Sequence, residues 1–527
     1  MSRSIDASSG VPAQARGEVP ALVVEHRRLL LVSVLASMAM NMLDTTIANV
    51  ALPHMQSSLQ ATQDTVTWVI TSYVLAAAVA LPLAGWLVDT FGIRTVMVIS
   101  VAVFTFASAL CGAAHSLEQM VLFRVLQGVA GAFLQPLSLT LLLDVSTPRE
   151  RPKMMTLFSQ VLMIAPIAGP LLGGYITEHA TWRWVFYVNV PIGILCLGGL
   201  LASLPEGHRR FRKFDKLGWL FVALAVASMQ LMLDRGSTKD WFSSFEILSY
   251  LVICLCAAWL AVVHVSTTKD PIFPTRLFAD FNFVTGLTIT FLYGMIAMSS
   301  MALLPQLFQN VFGFPVMETG MLMVPRGLGM LLSMTLFSRL TAQMDPRVTL
   351  AIGLSVQAVT LWMMTGWTSS VPASTIVLVT TISGMGNALT FIPLNMLMYT
   401  TLAHDLRTDA SSFSSLIRNL GSSLGVSICT VLLTHSVQVN HEEIGSRFSP
   451  PDLPFDLTQL PDPDLTVLGL RLVDGMVNRE ALMIGYINDF MLMSIACAVC
   501  IPLLMLMKRP PRLVPVSSEE LARDMGH

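Results

Sequence analysis

Apolar stretches of membrane-spanning length, separated by short polar segments, recur along the chain from residue 29 to residue 507. A helix needs roughly 20 mostly apolar residues to cross about 30 Å of hydrocarbon. At that length the pattern predicts fourteen spans, near 29–52, 66–87, 96–114, 118–143, 154–177, 184–204, 217–234, 245–265, 283–304, 319–338, 348–367, 374–399, 412–436 and 486–507. The first 28 residues are polar and rich in Ser, Ala, Gly and Pro, which suits a soluble tail rather than a secretory signal.

Composition turns this pattern into a class. Of 527 residues, 54% are hydrophobic and 12% charged, with a mean hydropathy of +0.67. A soluble domain carries about 25% charge, so this chain has too little polar surface to coat a globule in water. The expectation is an all-α integral membrane protein. The net charge of −2 leaves no basic surface for nucleic acid. Nor is there a Cys/His metal cluster or a phosphate-cradling glycine motif, so neither an enzyme nor a cofactor is expected. The seven cysteines all sit in apolar stretches, and Cys497-x-x-Cys500 lacks the βαβ context of a redox motif.

Lys and Arg set the orientation, because cytoplasmic loops hold the positive excess. With a cytoplasmic N-terminus, 22 of the 31 fall in the inner loops and tails, 6 in the outer loops, and Arg124, Arg326 and Arg418 inside spans. Both termini are therefore expected in the cytoplasm. The densest basic run, Arg209 to Lys213 with Lys216, follows span six. That placement divides the chain into a tail (1–28), a six-helix half (29–204), and a central linker with two extra helices (205–282). A second six-helix half (283–507) and a C-terminal tail (508–527) complete it. Gly85-Trp86-Leu87-Val88-Asp89 with Gly92 and Arg94 has a degenerate counterpart in Ser338-Arg339-Leu340 with Asp345 and Arg347. Repeated halves place a binding site between them at mid-membrane. One outer loop is long, near 437–485, with several prolines; it is either a partner-docking element or a tolerated insertion.

Ionisable groups inside spans carry the most information, since each costs at least ~2.5 kcal/mol at the bilayer centre. Asp44 lies about 8 residues from the outer end of span one, roughly 12 Å deep. Arg124 lies about 6 residues inside the outer end of span four, roughly 9 Å deep. The two can share a depth. A carboxylate facing an arginine across a cavity can exchange protons as that cavity opens and closes, whereas a static strut between helices would leave the same trace. Arg326 follows Pro325 in span ten, where it either attracts an anionic substrate or binds a carbonyl freed by the proline. Arg418 opens span thirteen with Gly421 and Gly425, a packing face that favours a gating or structural role over ligand contact. Asp489 sits near the outer end of span fourteen and reads as interfacial. Inward polar candidates for substrate contact are Asn41, Thr45, Gln135, Gln230, Asn387 and Asn395, each of which alternatively bonds a neighbouring helix. The 33 methionines are mostly packing or lipid-facing residues, with a minority available to a promiscuous pocket.

Span five carries Pro166, Gly169, Pro170, Gly173 and Gly174 within Ala165-Pro166-Ile167-Ala168-Gly169-Pro170-Leu171-Leu172-Gly173-Gly174. Prolines bend a helix and small residues let it pack closely, which suits a moving gate. In combination these motifs resemble the major facilitator superfamily, in particular its fourteen-span drug:proton antiporters of the EmrB/QacA type. Leu43-Asp44-Thr45-Thr46-Ile47-Ala48-Asn49-Val50-Ala51-Leu52-Pro53 is similar to that branch's first-span motif. Gly85, Asp89, Gly92 and Arg94 match the loop motif between spans two and three, with Thr90 where a basic residue is usual. Phe123-Arg124-Val125-Leu126-Gln127-Gly128 matches the span-four proton-translocation motif, and the span-five run matches the antiporter motif. Trp182 to Gly193, and Leu231 to Gly236 with Asp240-Trp241-Phe242, are similar to Gram-negative EmrB-like members.

The resemblance implies a proton-coupled exporter of hydrophobic or amphipathic compounds in a bacterial inner membrane. Asp44 and Arg124 would couple protons, and Gly85, Asp89, Gly92, Arg94, the span-five Pro and Gly residues, Arg418, Gly421 and Gly425 would gate. It also implies a periplasmic adaptor and an outer-membrane duct. The rival reading is a proton-linked importer or metabolite carrier, against which the span-five run argues.

Overall fold

The computed structural model describes residues 22, 24–147, 150–205, 213–236, 238–239, 241–341, 344–402, 406–447 and 463–507. Most of both tails lies outside the described residues, as do Arg209, Arg210, Arg212, Asp240, Pro450, Pro451, Pro454 and Pro461. Pro166 and Pro170 fall within a helix, but their side chains are outside the described set, as are those of Ser338, Arg339 and Leu340.

The described chain is helical from end to end. Its long helices are α1 (Arg27–Ser58), α2 (Trp68–Phe91), α3 (Ile93–Gly112), α4 (Leu117–Asp144), α5 (Arg151–His179), α6 (Trp184–Ser203) and α7 (Lys216–Gly236). After them come α8 (Phe245–Thr267), α9 (Phe281–Asn310), α10 (Val316–Thr341), α11 (Pro346–Thr365), α12 (Ala373–Thr400), α13 (Arg407–Arg447) and α14 (Pro463–Leu503). Among the described residues, twelve helices are long and apolar enough to cross a membrane. The other two, α5 and α10, stand at the fifth and tenth expected positions and run for 29 and 26 residues. Local chemistry starts several of them. Ser116, Asp280 and Asp345 each accept a backbone N–H of the first turn of α4, α9 and α11, which meets donors that a helix start leaves open. Gly92, at φ 85°, takes the left-handed turn between α2 and α3 that a side chain would resist.

The long loop expected near 437–485 is for the most part helix. Both α13 and α14 run for 41 residues, α13 reaching Arg447 and α14 starting at Pro463. Hydropathy ends a span where polar residues begin, but helix formation does not stop there. Arg479 of this extension donates to the carbonyls of Val311 and Ser369 at 2.7 and 3.2 Å, tying α14 to the loops after α9 and α11.

Packing repeats between the first six and last six helices. In the first set α1 packs against α4, α5 and α6, α4 against α2 and α3, and α3 against α6. In the last, α9 packs against α12, α13 and α14, α12 against α10 and α11, and α11 against α14. The sets meet through α5 with α10 and α12, and through α13 with α2 and α4. Helices α7 and α8 pack on each other at the side of this bundle, with α7 also touching α2 and α13. Asp215 pins the pair: it accepts from the Gly218 and Ile272 amides at 2.9 and 3.1 Å and lies 2.8 Å from His264 Nε2. The outer face of α8 is apolar, with Val252, Leu255, Trp259 and Val262 exposed, as a lipid-facing surface requires.

The two ends of the bundle differ. At the end where the described residues begin and stop, here called the terminal end, one hydrophobic core joins both six-helix sets, from Leu30 and Leu142 to Leu397 and Ala410. At the distal end the cores are separate: Ile47, Met55, Val69 and Phe186 in one, Leu307, Met364, Tyr486 and Phe490 in the other. The terminal end is also latched. Arg407 of α13 pairs with Asp144 of α4 at 3.1 Å, and Ser411 donates to the Pro136 carbonyl at 3.3 Å.

Candidate functional site

Asp44 and Arg124 meet inside the first six helices. Arg124 Nη1 donates to Asp44 Oδ2 at 2.7 Å, and both side chains are fully buried. The other Asp44 oxygen accepts from Gln127 Nε2 at 2.9 Å and Asn189 Nδ2 at 2.8 Å. Arg124 also donates from Nη1 to Gln127 Oε1 at 2.8 Å and from Nε to the Val69 carbonyl at 3.0 Å. Its guanidinium carbon lies 4.3 Å from the Tyr73 ring centroid and 5.6 Å from that of Phe186, a cation–π arrangement. Four helices contribute: α1 the carboxylate, α2 the carbonyl and ring, α4 the arginine and glutamine, α6 the asparagine.

Such a pair survives burial only because it is enclosed in hydrogen bonds. Removing two ions from water costs several kcal/mol per ion, which attraction offsets when the geometry is good and remaining lone pairs are met. Asp44 receives three donors. Arg124 Nη2 has no partner. Asn189 also donates to Ser108 Oγ at 3.0 Å, which donates to the Phe186 carbonyl at 2.9 Å. The cluster thus spans every helix of the first half except α5.

Asn41 lies one step away. It donates to the Gly131 carbonyl at 2.6 Å and accepts from Tyr73 Oη at 3.2 Å. Thr45 donates to the Asn41 carbonyl at 3.1 Å. In the last six helices Asn387 does comparable work. Its amide lies 2.6 Å from Tyr293 Oη; turned so that its nitrogen donates there, its oxygen accepts from Arg326 Nη2 at 3.0 Å and Nε at 3.2 Å. Arg326 Nη1 reaches Ser300 Oγ at 3.4 Å. Of the two sequence alternatives for Arg326, the described hydrogen bonds include none to a backbone carbonyl. Arg418 stacks on Phe391, 5.0 Å from its centroid, with Nε and Nη1 unpartnered. Among the described residues, no carboxylate pairs with Arg326 or Arg418.

The remaining polar candidates do not join either cluster. Gln230, on α7, donates to Asp234 one turn later at 2.9 Å. Asn395 donates to the Phe391 carbonyl at 2.8 Å, leaving its oxygen without a partner. Gln135 is half-buried on α4. Asp489, read from sequence as interfacial, is 1% exposed instead. The sequence set the distal limit of span fourteen at the first polar residues, whereas α14 carries on well beyond them.

The glycines sit at helix contacts. A Cβ on Gly169 would strike Thr46, and one on Gly173 would lie 3.3 Å from Ile47 and Val50, so these two pack α5 on α1. Gly421 and Gly425 pack α13 on α9 against the backbones of Phe291 and Met295. Gly85 receives the Asp409 side chain of α13 at the terminal end, and Arg94 donates to the Leu201 carbonyl at 3.2 Å. Gly174 has nothing within 4 Å. Asp89 belongs to the α2 end of this contact region.

The sequence names Asp44 and Arg124 as the coupling pair. Gln127 and Asn189 lie within the span-four and Trp182–Gly193 motifs without a role of their own, although Gln127 follows Arg124 by three positions on the same helix face. Tyr73 carries no signal beyond being a polar group in an apolar segment.

Three comparisons bear on this arrangement. The family model for the Major Facilitator Superfamily matches residues 34–426. The multidrug export protein EmrB of Haemophilus influenzae is 33% identical over 432 residues, 81% of this chain and 85% of that protein. The fatty acid resistance protein FarB of Neisseria gonorrhoeae is 30% identical over 483 residues, 89% of this chain and 94% of that protein. Among solved structures, the human organic anion transporter MFSD10 superposes with a TM-score of 0.58 at 13% identity, covering 89% of this chain and 99% of that one. That likeness concerns the fold.

Proposed function

From the premise that this chain belongs to the Major Facilitator Superfamily, in its EmrB-like branch, we propose that it is a proton-coupled exporter of hydrophobic or amphipathic compounds. Its relatives named for multidrug export and fatty acid resistance support that substrate class. The observation that carries the coupling is the buried Asp44–Arg124 pair with its three donors to one carboxylate. Protonating Asp44 cancels the charge that Arg124, Gln127 and Asn189 all address, and so loosens α1, α4 and α6 together. A ligand shifts an equilibrium only if it binds its two states unequally. Protonation of Asp44 and binding of substrate are therefore assigned to opposite states of the bundle.

The conformation in hand has the terminal end shut by a common core and the Arg407–Asp144 latch, with separate cores distally. With the terminal end in the cytoplasm of a bacterial inner membrane, as the Lys and Arg distribution favours, this is the state that faces outward. Asp44 takes its proton there. Opening the terminal end breaks the latch and slides the glycine contacts of α5 on α1 and α13 on α9. In this reading Gly85, Asp89, Gly92 and Arg94 serve the latch region, and Arg326, Asn387 and Asn395 line the substrate's path with Asn41, Thr45 and Gln135, whereas Gln230, on a helix beside the bundle, does not. The proton gradient is the sole energy source, with no cofactor. A periplasmic adaptor and outer-membrane duct complete the route.

Direction is the test that separates export from proton-linked import. Inverted vesicles energised with an acid interior should accumulate a fluorescent amphiphile, and right-side-out vesicles should extrude it. Accumulation in right-side-out vesicles driven by an acid exterior would replace the exporter with an importer.

A further inference from the structure

Asp489 is the ionisable group that the coupling mechanism leaves unused. It is 1% exposed, and neither carboxylate oxygen has a hydrogen-bond partner. Around it are Tyr486, Phe490 and Met493 of its own helix, all buried in the distal core of the last six helices. The titratable groups that face it are Cys429 of α13 and Tyr486 of α14. Among the described residues no cation faces it from α9, α11 or α13. Ser299 of α9 lies against Cys429. Between α9, α13 and α14 lies a small apolar cavity lined by Met295, Ser299, Cys429 and Met493, among others.

The repeat gives this position meaning. Asn189 of α6 and Asp489 of α14 stand equally far from the terminal-end residues of their helices, Ser203 and Leu503. Helix α6 packs on α1, and α14 packs on α9. In the first half the carboxylate is on α1 and a neutral partner on α6; in the second half the carboxylate is on α14, the helix that corresponds to α6. A lone carboxylate in such surroundings does not stay ionised: without a counter-charge or donors it neutralises by holding a proton.

We propose that Asp489 is a second proton-carrying carboxyl, loaded in this conformation and discharged when α9, α13 and α14 rearrange to admit water or a donor. The bond that breaks is its own O–H; the proton passes to water, and the carboxylate that remains requires the rearranged state. This deepens the antiport reading and rests on it for the coupling, but not for the protonation state.

Infrared spectroscopy of the whole protein in liposomes at neutral pH tests the loading directly. In the Asp44→Asn background, where Asp44 contributes no carboxyl, a protonated-carboxyl C=O stretch should be present, disappear when Asp489→Asn is added, and remain when Asp489→Glu is added instead. Substrate-induced proton release, read with a pH dye in the same liposomes, should fall by about half in Asp489→Asn while the Asp44 share persists. A band that survives Asp489→Asn in the Asp44→Asn background, or release that Asp489→Asn alone leaves unchanged, overturns the proposal. A wild type that releases no proton on substrate addition overturns the antiport reading instead. Loss of the band when Asp489→Asn is added would then still establish the protonated carboxyl.

Discussion

Both six-helix sets bury an arginine and a Tyr–Asn pair where their first, second and fourth helices meet, but they treat the charge differently. In the first set Asn41 of α1, Tyr73 of α2 and the Gly131 carbonyl of α4 make the junction, and Arg124 of α4 stands beside it, neutralised by Asp44. In the last set the same three residue types meet in a different order, Tyr293 on α9, Arg326 on α10 and Asn387 on α12, and the arginine finds only an amide and a hydroxyl. One half holds a charge pair that a single proton can unbalance. The other holds a fixed positive charge on neutral ligands, and keeps its carboxyl, Asp489, elsewhere and alone. A transporter built from repeats can thus pair its buried arginine with a carboxylate in one half and leave it on neutral ligands in the other without changing the helix framework.

Removing each arginine in turn should break the symmetry most visibly. Arg124→Leu leaves Asp44 buried without its cation, and breaking such a pair costs about 3–5 kcal/mol. Arg326→Met strands no carboxylate: it loses charge-assisted hydrogen bonds but also removes a buried cation that has only neutral ligands, so it should cost less than Arg124→Leu. Denaturation in mild detergent, followed by tryptophan fluorescence, measures both. Equal losses would show that the two charges are held alike.

The glycine contacts come next. A Cβ on Gly425 would lie 2.5 Å from Met295 Cα, where backbone cannot yield, so Gly425→Ala should cost about 1–3 kcal/mol. Gly173→Ala would bring its Cβ to 3.3 Å from the Ile47 and Val50 side chains, tight but yielding contacts, and should cost less. Gly174→Ala, with open space, should be neutral or stabilising by up to about 1 kcal/mol, since alanine favours helix. The same melts rank the three; a costly Gly174→Ala would contradict the packing described for α5.

The smallest effect belongs to the terminal surface. Arg27 donates to both oxygens of Glu150 at 3.0 and 2.7 Å, and with the Thr147 amide holds this carboxyl down at about 2. Because the folded value is depressed, the contribution is present above the usual carboxylate value of 4.5 and is lost as pH falls through about 2. The pair is well exposed, so the contribution is modest. The melting-temperature difference between wild type and Glu150→Gln should shrink across that interval; a constant difference would remove the ion pair as its cause.

Much of this organisation is legible in the sequence because lipid leaves few options. Backbone groups in hydrocarbon must bond within the segment, so hydropathy alone places the long helices. An aspartate and an arginine at matched depth on α1 and α4 call for each other, and they meet. What sequence does not carry is the cage around them. Asn189 stands in a recognised motif and Tyr73 looks like any polar residue in a span, and neither shows its place at Asp44 and Arg124 until α6 and α2 are packed on α1 and α4. The same holds for Gln230, whose depth suggests an inward face but whose helix lies beside the bundle. Asp489 is misplaced for another reason. Hydropathy marks where a span turns polar, whereas α14 extends to Pro463, so a residue reading as a boundary lies within a packed helix.

The central claim is that the Asp44–Arg124 pair links proton movement to substrate movement. Proteoliposomes with an imposed pH gradient, carrying wild type or Asp44→Asn, allow proton flux and amphiphile flux to be recorded together. Substrate should dissipate the gradient through wild type and leave it intact with the variant. Gradient-driven export by Asp44→Asn at the wild-type rate would contradict that claim.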